Sequence, residues 1–274
     1  MLRSMRDLEN YSIRANDGDI GRVKDFYADD GTWVIRHLIV DTSVWMGNRK
    51  VLISPRCMGR PDWGGRILPV KITKERVRNS PDIDIDKPVS RQHERGYLGH
   101  YDYPYYWSGA GILDESAYPY AVLKGGGDVN SDGPYGNGHE RAQSGSREDQ
   151  QGGLHLRSCK EIIGFHIHAS DGDIGHVHDV LVDERAWTIP YIVVNTNNWF
   201  GGHRVLIVPH RIRDVSSTKH MVSVDLTRQQ LKDAPLYNAE EAFCRQEEES
   251  ICRHYGRNGH WNSVPKDQVR PPSR

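Results

Sequence analysis

Four histidines, His166, His168, His176 and His178, have the spacing that most suggests chemistry. They form two His-x-His pairs on either side of Asp171-Gly172-Asp173. If the pairs lie on the two strands of one hairpin, alternation turns Phe165, Ile167 and Val177 inward and all four imidazoles outward. Such a face could hold zinc, nickel or copper. It could also act as a pH-sensitive patch, because imidazoles charge at about pH 5–7. The matching stretch earlier in the chain carries Ser12, Arg14, Arg22 and Lys24, a merely basic outer face. That comparison favours a solvated surface over a metal site. Aspartates form a second group: Asp17, Asp19, Asp25 and Asp29, with Asp171, Asp173, Asp179 and Asp183. Paired carboxylates can do general acid–base work. Here, however, Asp17 and Asp19 bracket a turn glycine, where aspartate bonds its local backbone. Asp25 and Asp29 fall near the end of a strand. The Asp-Gly-Asp run lacks the spaced ligands and closing glutamate of an EF-hand loop.

The other reactive side chains assemble no recognised motif. Cys57, Cys159, Cys244 and Cys252 show no C-x-x-C spacing and are too few for a disulfide framework. Cys244 and Cys252 would share one face of a helix, which predicts that at least one is buried. A serine elbow, an H-E-x-x-H run and a P-loop lysine are missing. Gly125-Gly126-Gly127 has no strand–loop–helix context for cradling phosphate. The expectation is a protein without catalytic residues or cofactor.

Composition narrows the class. The chain has 274 residues, 36% apolar and 27% charged, a globular profile. Its 36 Lys plus Arg against 37 Asp plus Glu give a net charge of −1, which disfavours direct nucleic-acid binding. No stretch approaches the roughly 18 apolar residues of a membrane span. The first residues, MLRSMRDLENYSI, lack the apolar run of a secretory signal. A cytoplasmic location is expected.

The chain repeats itself. Residues from Ala15, ANDGDIGRVKDFYADDGTWVI, match those from Ala169, ASDGDIGHVHDVLVDERAWTI, at an offset of 154. Without gaps, Trp45-x-Gly47 falls on Trp199-x-Gly201, and Val51-Leu52-Ile53-x-Pro55 on Val205-Leu206-Ile207-x-Pro209. Thr73 meets Thr227, Pro81 meets Pro235, His100-Tyr101 meets His254-Tyr255, and Trp107 meets Trp261. Roughly 29 of the 97 positions from 11 to 107 are identical to their partners. The chain is a tandem duplication of a unit near 100 residues, an ordinary domain size.

Each unit reads as short strands. Tyr11, Ile13 and Ala15 alternate with polar residues up to the Asp17-Gly18-Asp19 turn. Ile20 and Val23 differ in parity, which predicts a bulge at Gly21. A second turn falls at Asp29-Asp30-Gly31, followed by a buried strand from Trp33 to Val40. Further strands are predicted at Val51–Ile53 and Ile67–Ile72. Thr73 should cap a short closing helix, and Thr227-x-x-Gln230 reads as a capping box. Five or six short strands with little helix predict a mostly β fold: two small barrels or rolled sheets in tandem.

These features resemble the PRC-barrel family. The resemblance rests on D-G-D-I-G-x-V-x-D, then Asp29 or Asp183, and on the Trp-led strand ending Ile39-Val40-Asp41 or Val193-Val194-Asn195. It continues through the Trp-x-Gly turn and the V-L-I-x-P strand, covering about 11–82 and 165–236. The family includes the cytoplasmic barrel of the photosynthetic reaction-centre H subunit and the C-terminal domain of a ribosome-maturation factor. The resemblance implies a docking module and leaves the partner open. Unlike the reaction-centre subunit, this chain carries two barrels and no membrane helix. It also lacks a segment like the RNA-contacting domain of the ribosome factor.

The expected layout is a first barrel over 1–82, an arm over 83–107, a flexible Gly-rich linker over 108–157, a second barrel over 158–236, an arm over 237–261 and a disordered tail over 262–274. Each arm reads as a short helix followed by an aromatic tail, the second helix within Ala239–Arg253. An arm can pack on a barrel. It can instead offer Tyr101, Tyr103, Tyr105, Tyr106 and Trp107, or Tyr255 and Trp261, to a protein partner, since such residues anchor interfaces. The long linker lets the barrels pair within one chain, and the same surface could make a homodimer. The function expected is a non-enzymatic adaptor of unidentified protein partner. The alternatives are a ribosome- or RNA-associated assembly factor and a metal or pH sensor built on the histidine hairpin.

Overall fold

The Asp-Gly-Asp turn starts the longest strand of each unit, and the rest of the unit is organised around that strand. In the computed structural model, which describes residues 1–47, 49–83, 89, 91–105, 156–196, 203–239 and 243–256, the first unit opens with β1 (Leu2–Ser4) and α1 (Met5–Leu8). Then come β2 (Ser12–Ala15), β3 (Gly18–Asp29), β4 (Ile35–Asp41), α2 (Ser43–Met46), β5 (Lys50–Ile53), β6 (Ile67–Pro69), α3 (Lys74–Arg78) and the arm helix α4 (Arg91–His100). The second unit repeats the plan with β7 (Leu156–Ser158), α5 (Cys159–Ile162), β8 (His166–Ala169), β9 (Gly172–Asp183), β10 (Thr188–Asn195), β11 (Arg204–Ile207), β12 (Ile212–Ser216), β13 (Met221–Val224), α6 (Arg228–Lys232) and α7 (Arg245–Tyr255). The result is mostly β, in two sheet-rich halves with short helices.

The strand order is β5-β4-β3-β2-β6 in one sheet and β11-β10-β9-β8-β13-β12 in the other. β2 runs parallel to β6, and β8 parallel to β13. One end of β3 pairs with β2, and β4 runs along most of its length. The strand turns between these neighbours through the bulge foreseen near Gly21: Ile13 lies opposite Gly21 but Arg14 opposite Asp19, which leaves Ile20 unpaired and fully buried. At Gly21, φ is +149°, and a Cβ there would sit 2.0 Å from the Asp41 carbonyl oxygen. At Gly175, φ is +69°, and a Cβ would sit 2.0 Å from the Asn195 carbonyl oxygen. Glycine is required at both because the neighbouring strand passes too close for any side chain.

Two predicted strands are shorter than expected. β4 begins at Ile35 because Trp33 has a left-handed φ of 57°. β6 ends at Pro69, whereas the second unit forms both β12 and β13. Proline explains the difference: Pro61 and Pro69 stand where the second unit has Val215 and Ser223, and proline cannot donate to a ladder. The closing helices follow their caps. The Thr73 hydroxyl accepts from Arg76 N–H, and Thr227 with Gln230 completes a full capping box. Replacing Thr227 by alanine is expected to lower stability by about 1 kcal/mol in urea unfolding. Thr73→Ala should cost less, because no N3 side chain reciprocates there. Arm helix α7 starts at Arg245, later than predicted, behind Phe243, whose ring packs 5.6 Å from Tyr191 and 6.3 Å from Tyr237.

Buried apolar side chains of both units form one continuous core. The units are joined by exchange. β1 of the first unit lies antiparallel on β9, and β7 of the second lies antiparallel on β3. The boundaries expected at 1–82 and 158–236 are therefore redrawn: the second unit starts at Leu156, and each unit's first strand belongs to the other's sheet. Most of the predicted linker and all of the predicted tail lie outside the described residues.

Candidate functional site

Among the described residues, specific polar contacts cluster along this seam. Ser158 caps α5 by accepting from Glu161 N–H at 2.9 Å, and its own proton goes to Asp25 Oδ2 at 2.5 Å. The other Asp25 oxygen accepts from Phe26 N–H at 2.6 Å and Lys160 N–H at 2.9 Å. The second unit mirrors this. Ser4 accepts from Asp7 N–H at 3.3 Å and donates a short hydrogen bond to Asp179, which also accepts from Val180 N–H at 2.7 Å. Serine suits the position because one hydroxyl can cap a helix and satisfy a buried acid together. Burial pushes the Asp25 carboxyl up to about 6, against the pull of its hydrogen bonds.

The arginine between leucine and serine also spans both units. Arg157 bonds Asp30 at 2.9 Å and Ser217 at 3.0 Å. Arg3 bonds Glu184 at 2.8 Å and stacks 4.0 Å above the Trp63 ring. Glu184 is the repeat partner of Asp30, and Ser217 that of Trp63. Behind each serine, Met5 or Cys159 is fully buried, and Leu8 or Ile162 nearly so. At the middle of the seam, Ile35 N–H donates to the Trp187 carbonyl and Ile189 N–H to the Trp33 carbonyl, both at 2.8 Å. The two units are thus related by a pseudo-twofold within one chain.

The arms dock on their own units. Glu94 of α4 meets His37 Nε2 at 3.2 Å, both groups buried, and Tyr97 OH accepts from Ser54 N–H at 2.9 Å. In the second unit Tyr191 stands at the position of His37 and donates to Glu248 at 3.3 Å. His100 Nε2 donates to the Arg76 carbonyl at 2.8 Å, and His254 Nε2 to the equivalent Gln230 carbonyl at 2.9 Å. Tyr101 and Tyr255, offered by the sequence as partner anchors, are both 3% exposed and serve the core instead. The Tyr255 hydroxyl donates to the Leu206 carbonyl at 2.8 Å, and burial pushes the Tyr101 hydroxyl up to about 12. Tyr103 is half-buried and stacked on Tyr101, Tyr105 is exposed, and Tyr106, Trp107 and Trp261 lie outside the described residues. The reason is steric: an amphipathic helix laid on a small sheet uses its aromatic face to complete that core.

The histidines occupy the predicted hairpin but are not gathered together. His166 stands opposite His176, and His168 opposite Asp173, with Nδ1 2.6 Å from its carboxylate. His178 lies beyond the β8 pairing, where desolvation and the nearby Arg204 and Arg6 hold its imidazole below the usual value. Among the described residues no three His, Cys, Asp or Glu side chains come together to hold a metal. Two imidazoles give zinc too few ligands, so a zinc titration of the full chain is expected to show nothing tighter than about millimolar. The turns suggested local backbone bonding for Asp17 and Asp171. Instead they accept from Lys74 N–H and Arg228 N–H, 57 residues along the chain, at the start of each closing helix. None of the four cysteines, all among the described residues, forms a disulfide; Cys244 is exposed and Cys57, Cys159 and Cys252 are buried. Burial raises the Cys57 thiol to about 11 and the Cys159 thiol well above its ordinary value, so neither is a ready nucleophile.

Sequence reasoning did not single out the seam. Its signal was present: Leu-Arg-Ser at 2–4 and again at 156–158 continues the same offset back beyond residue 11. Among the described residues no helix is long and apolar enough to cross a membrane. No curated protein matches the chain. A family model for the PRC-barrel domain matches residues 2–77 and again 156–231, each match starting at the exchanged strand and stopping short of the arm. Over half of its length, in two consecutive copies, this chain belongs to the PRC-barrel family.

Proposed function

We propose that the chain is a non-enzymatic interaction scaffold, two PRC barrels held as a rigid pair that presents its outer faces to a protein partner. One observation carries this reading: the buried carboxylates of the seam, Asp25 and Asp179, are taken up by the half-buried hydroxyls of Ser158 and Ser4 from the other unit's opening segment. The raised Cys57 and Cys159 thiols and the bonds of Asp17 and Asp171 to the closing helices support it, since these groups have structural work. The test is affinity purification of the tagged full chain after brief cross-linking in cells, followed by reconstitution of each candidate complex from purified parts. A saturable complex of fixed stoichiometry that survives nuclease is the expected result. Binding that vanishes with nuclease, or falls steeply with salt, would support RNA-associated assembly instead. Turnover of a small molecule by the purified chain would overturn the scaffold reading.

A further inference from the structure

Each long strand ends in a slot that reads a short segment. On β9 the register is Leu2 to Asp183, Arg3 to Val182 and Ser4 to Leu181. On β3 it is Leu156 to Asp29, Arg157 to Ala28 and Ser158 to Tyr27. Strand addition of this kind takes affinity from main-chain bonds and specificity from side-chain pockets. Three such pockets recur: an acid for the arginine (Glu184, Asp30), a buried aspartate for the serine (Asp179, Asp25) and a dry site for the next residue (Met5, Cys159). The two segments read Leu-Arg-Ser-Met-Arg-Asp-Leu and Leu-Arg-Ser-Cys-Lys-Glu-Ile, so both slots select one pattern. The strand pairing, the acid for the arginine and the aspartate for the serine all join one unit's first residues to the other unit, so these contacts do not require segment and slot to share a chain. The Arg3–Trp63 stack and the Arg157–Ser217 bond stay within one unit.

We infer that these slots are a trans-recognition device whose partner is the opening strand–helix segment of a PRC unit on a second copy of this chain. The inference rests on the scaffold reading and gives it a partner class. Within one molecule the connection keeps each segment at high effective concentration, so cis occupancy dominates while the chain is intact. Trans pairing takes over once a segment is withdrawn or the connection is cut.

The experiment uses the full chain with a protease site inserted between residues 108 and 155. After cutting, the halves are expected to elute together at the mass of the uncut chain. When differently tagged cut samples are mixed, unfolded in urea and refolded together, a tagged second half should recover a labelled first half from the other sample. Halves that separate as folded monomers at micromolar concentration would overturn the inference, as would halves that never trade between copies. A second arm deletes residues 1–10, emptying the slot on β9. A synthetic peptide of residues 1–11 should bind this variant but not the intact chain, and Ser4→Ala in the peptide should weaken binding about tenfold by leaving Asp179 short of a donor. If the deletion variant keeps its near-ultraviolet circular dichroism yet ignores the peptide, the inference fails. If the variant does not fold, the cut-chain result decides. Neither failure touches the scaffold reading, which stands or falls on the cross-linking experiment.

Discussion

Gly21→Ala is expected to cost about 3–5 kcal/mol, enough to unfold much of the population at 37 °C. The cost has two parts. A φ of +149° lies where an L-residue is strained, which costs about 1–3 kcal/mol. The added Cβ would also sit 2.0 Å from the Asp41 carbonyl oxygen and 3.1 Å from Val40 Cγ1, so β3 and β4 must separate where they pair. Gly175→Ala meets the same obstacle at Asn195 and should behave alike. Gly96→Ala is the control: it lies exposed in α4 with nothing within 4 Å of an added Cβ, and alanine should stabilise the chain by about 0.5–1 kcal/mol. Urea unfolding of the three variants checks the ranking. A Gly21→Ala chain as stable as the parent would mean that β3 does not turn at this bulge.

The second large effect is a pH dependence centred on the seam. Asp25 is raised to about 6 from an ordinary 3.8, so the folded chain holds this proton more tightly than the unfolded chain does. Stability from that proton is full below the unfolded value and is lost as pH rises through about 6. Between pH 7.5 and 5 the parent should therefore gain about 1–1.5 kcal/mol from Asp25. His178, held below its ordinary value, works in the opposite sense over part of this window. Asp19, Asp41 and Asp171 are held low by hydrogen bonds to Arg14, Ser43 and Arg228, and they lose their stabilisation at still lower pH. The contribution of Asp25 is isolated by comparing the parent with Asp25→Asn. Asparagine can still accept from Phe26 and Lys160 N–H while its amide donates to the Ser158 hydroxyl. Above pH 6 the variant should be more stable by up to about 3 kcal/mol, and the gap should close as pH falls towards 4. A constant difference across the window would show that Asp25 does not carry the proton.

What the amino-acid sequence determined by itself is local or repeated. The bulge at Gly21, the Thr227–Gln230 capping box and the Asp-Gly-Asp turns depend on neighbours within a few residues, so residue type alone announces them. The duplication was legible because one set of core and turn residues recurs at a fixed spacing. Tertiary structure decided the rest. Leu-Arg-Ser reads as an unremarkable tripeptide until β9 and β3 supply its partners, about 180 and about 130 residues away. Asp25 looks like a surface strand residue until a helix from the other unit covers it. Tyr101 and Tyr255 could equally have been exposed anchors, and whether such a residue meets water or a core depends on where its helix is laid. The pattern of side chains therefore specified which modules form, while packing between modules chose which of their polar and aromatic groups became contacts.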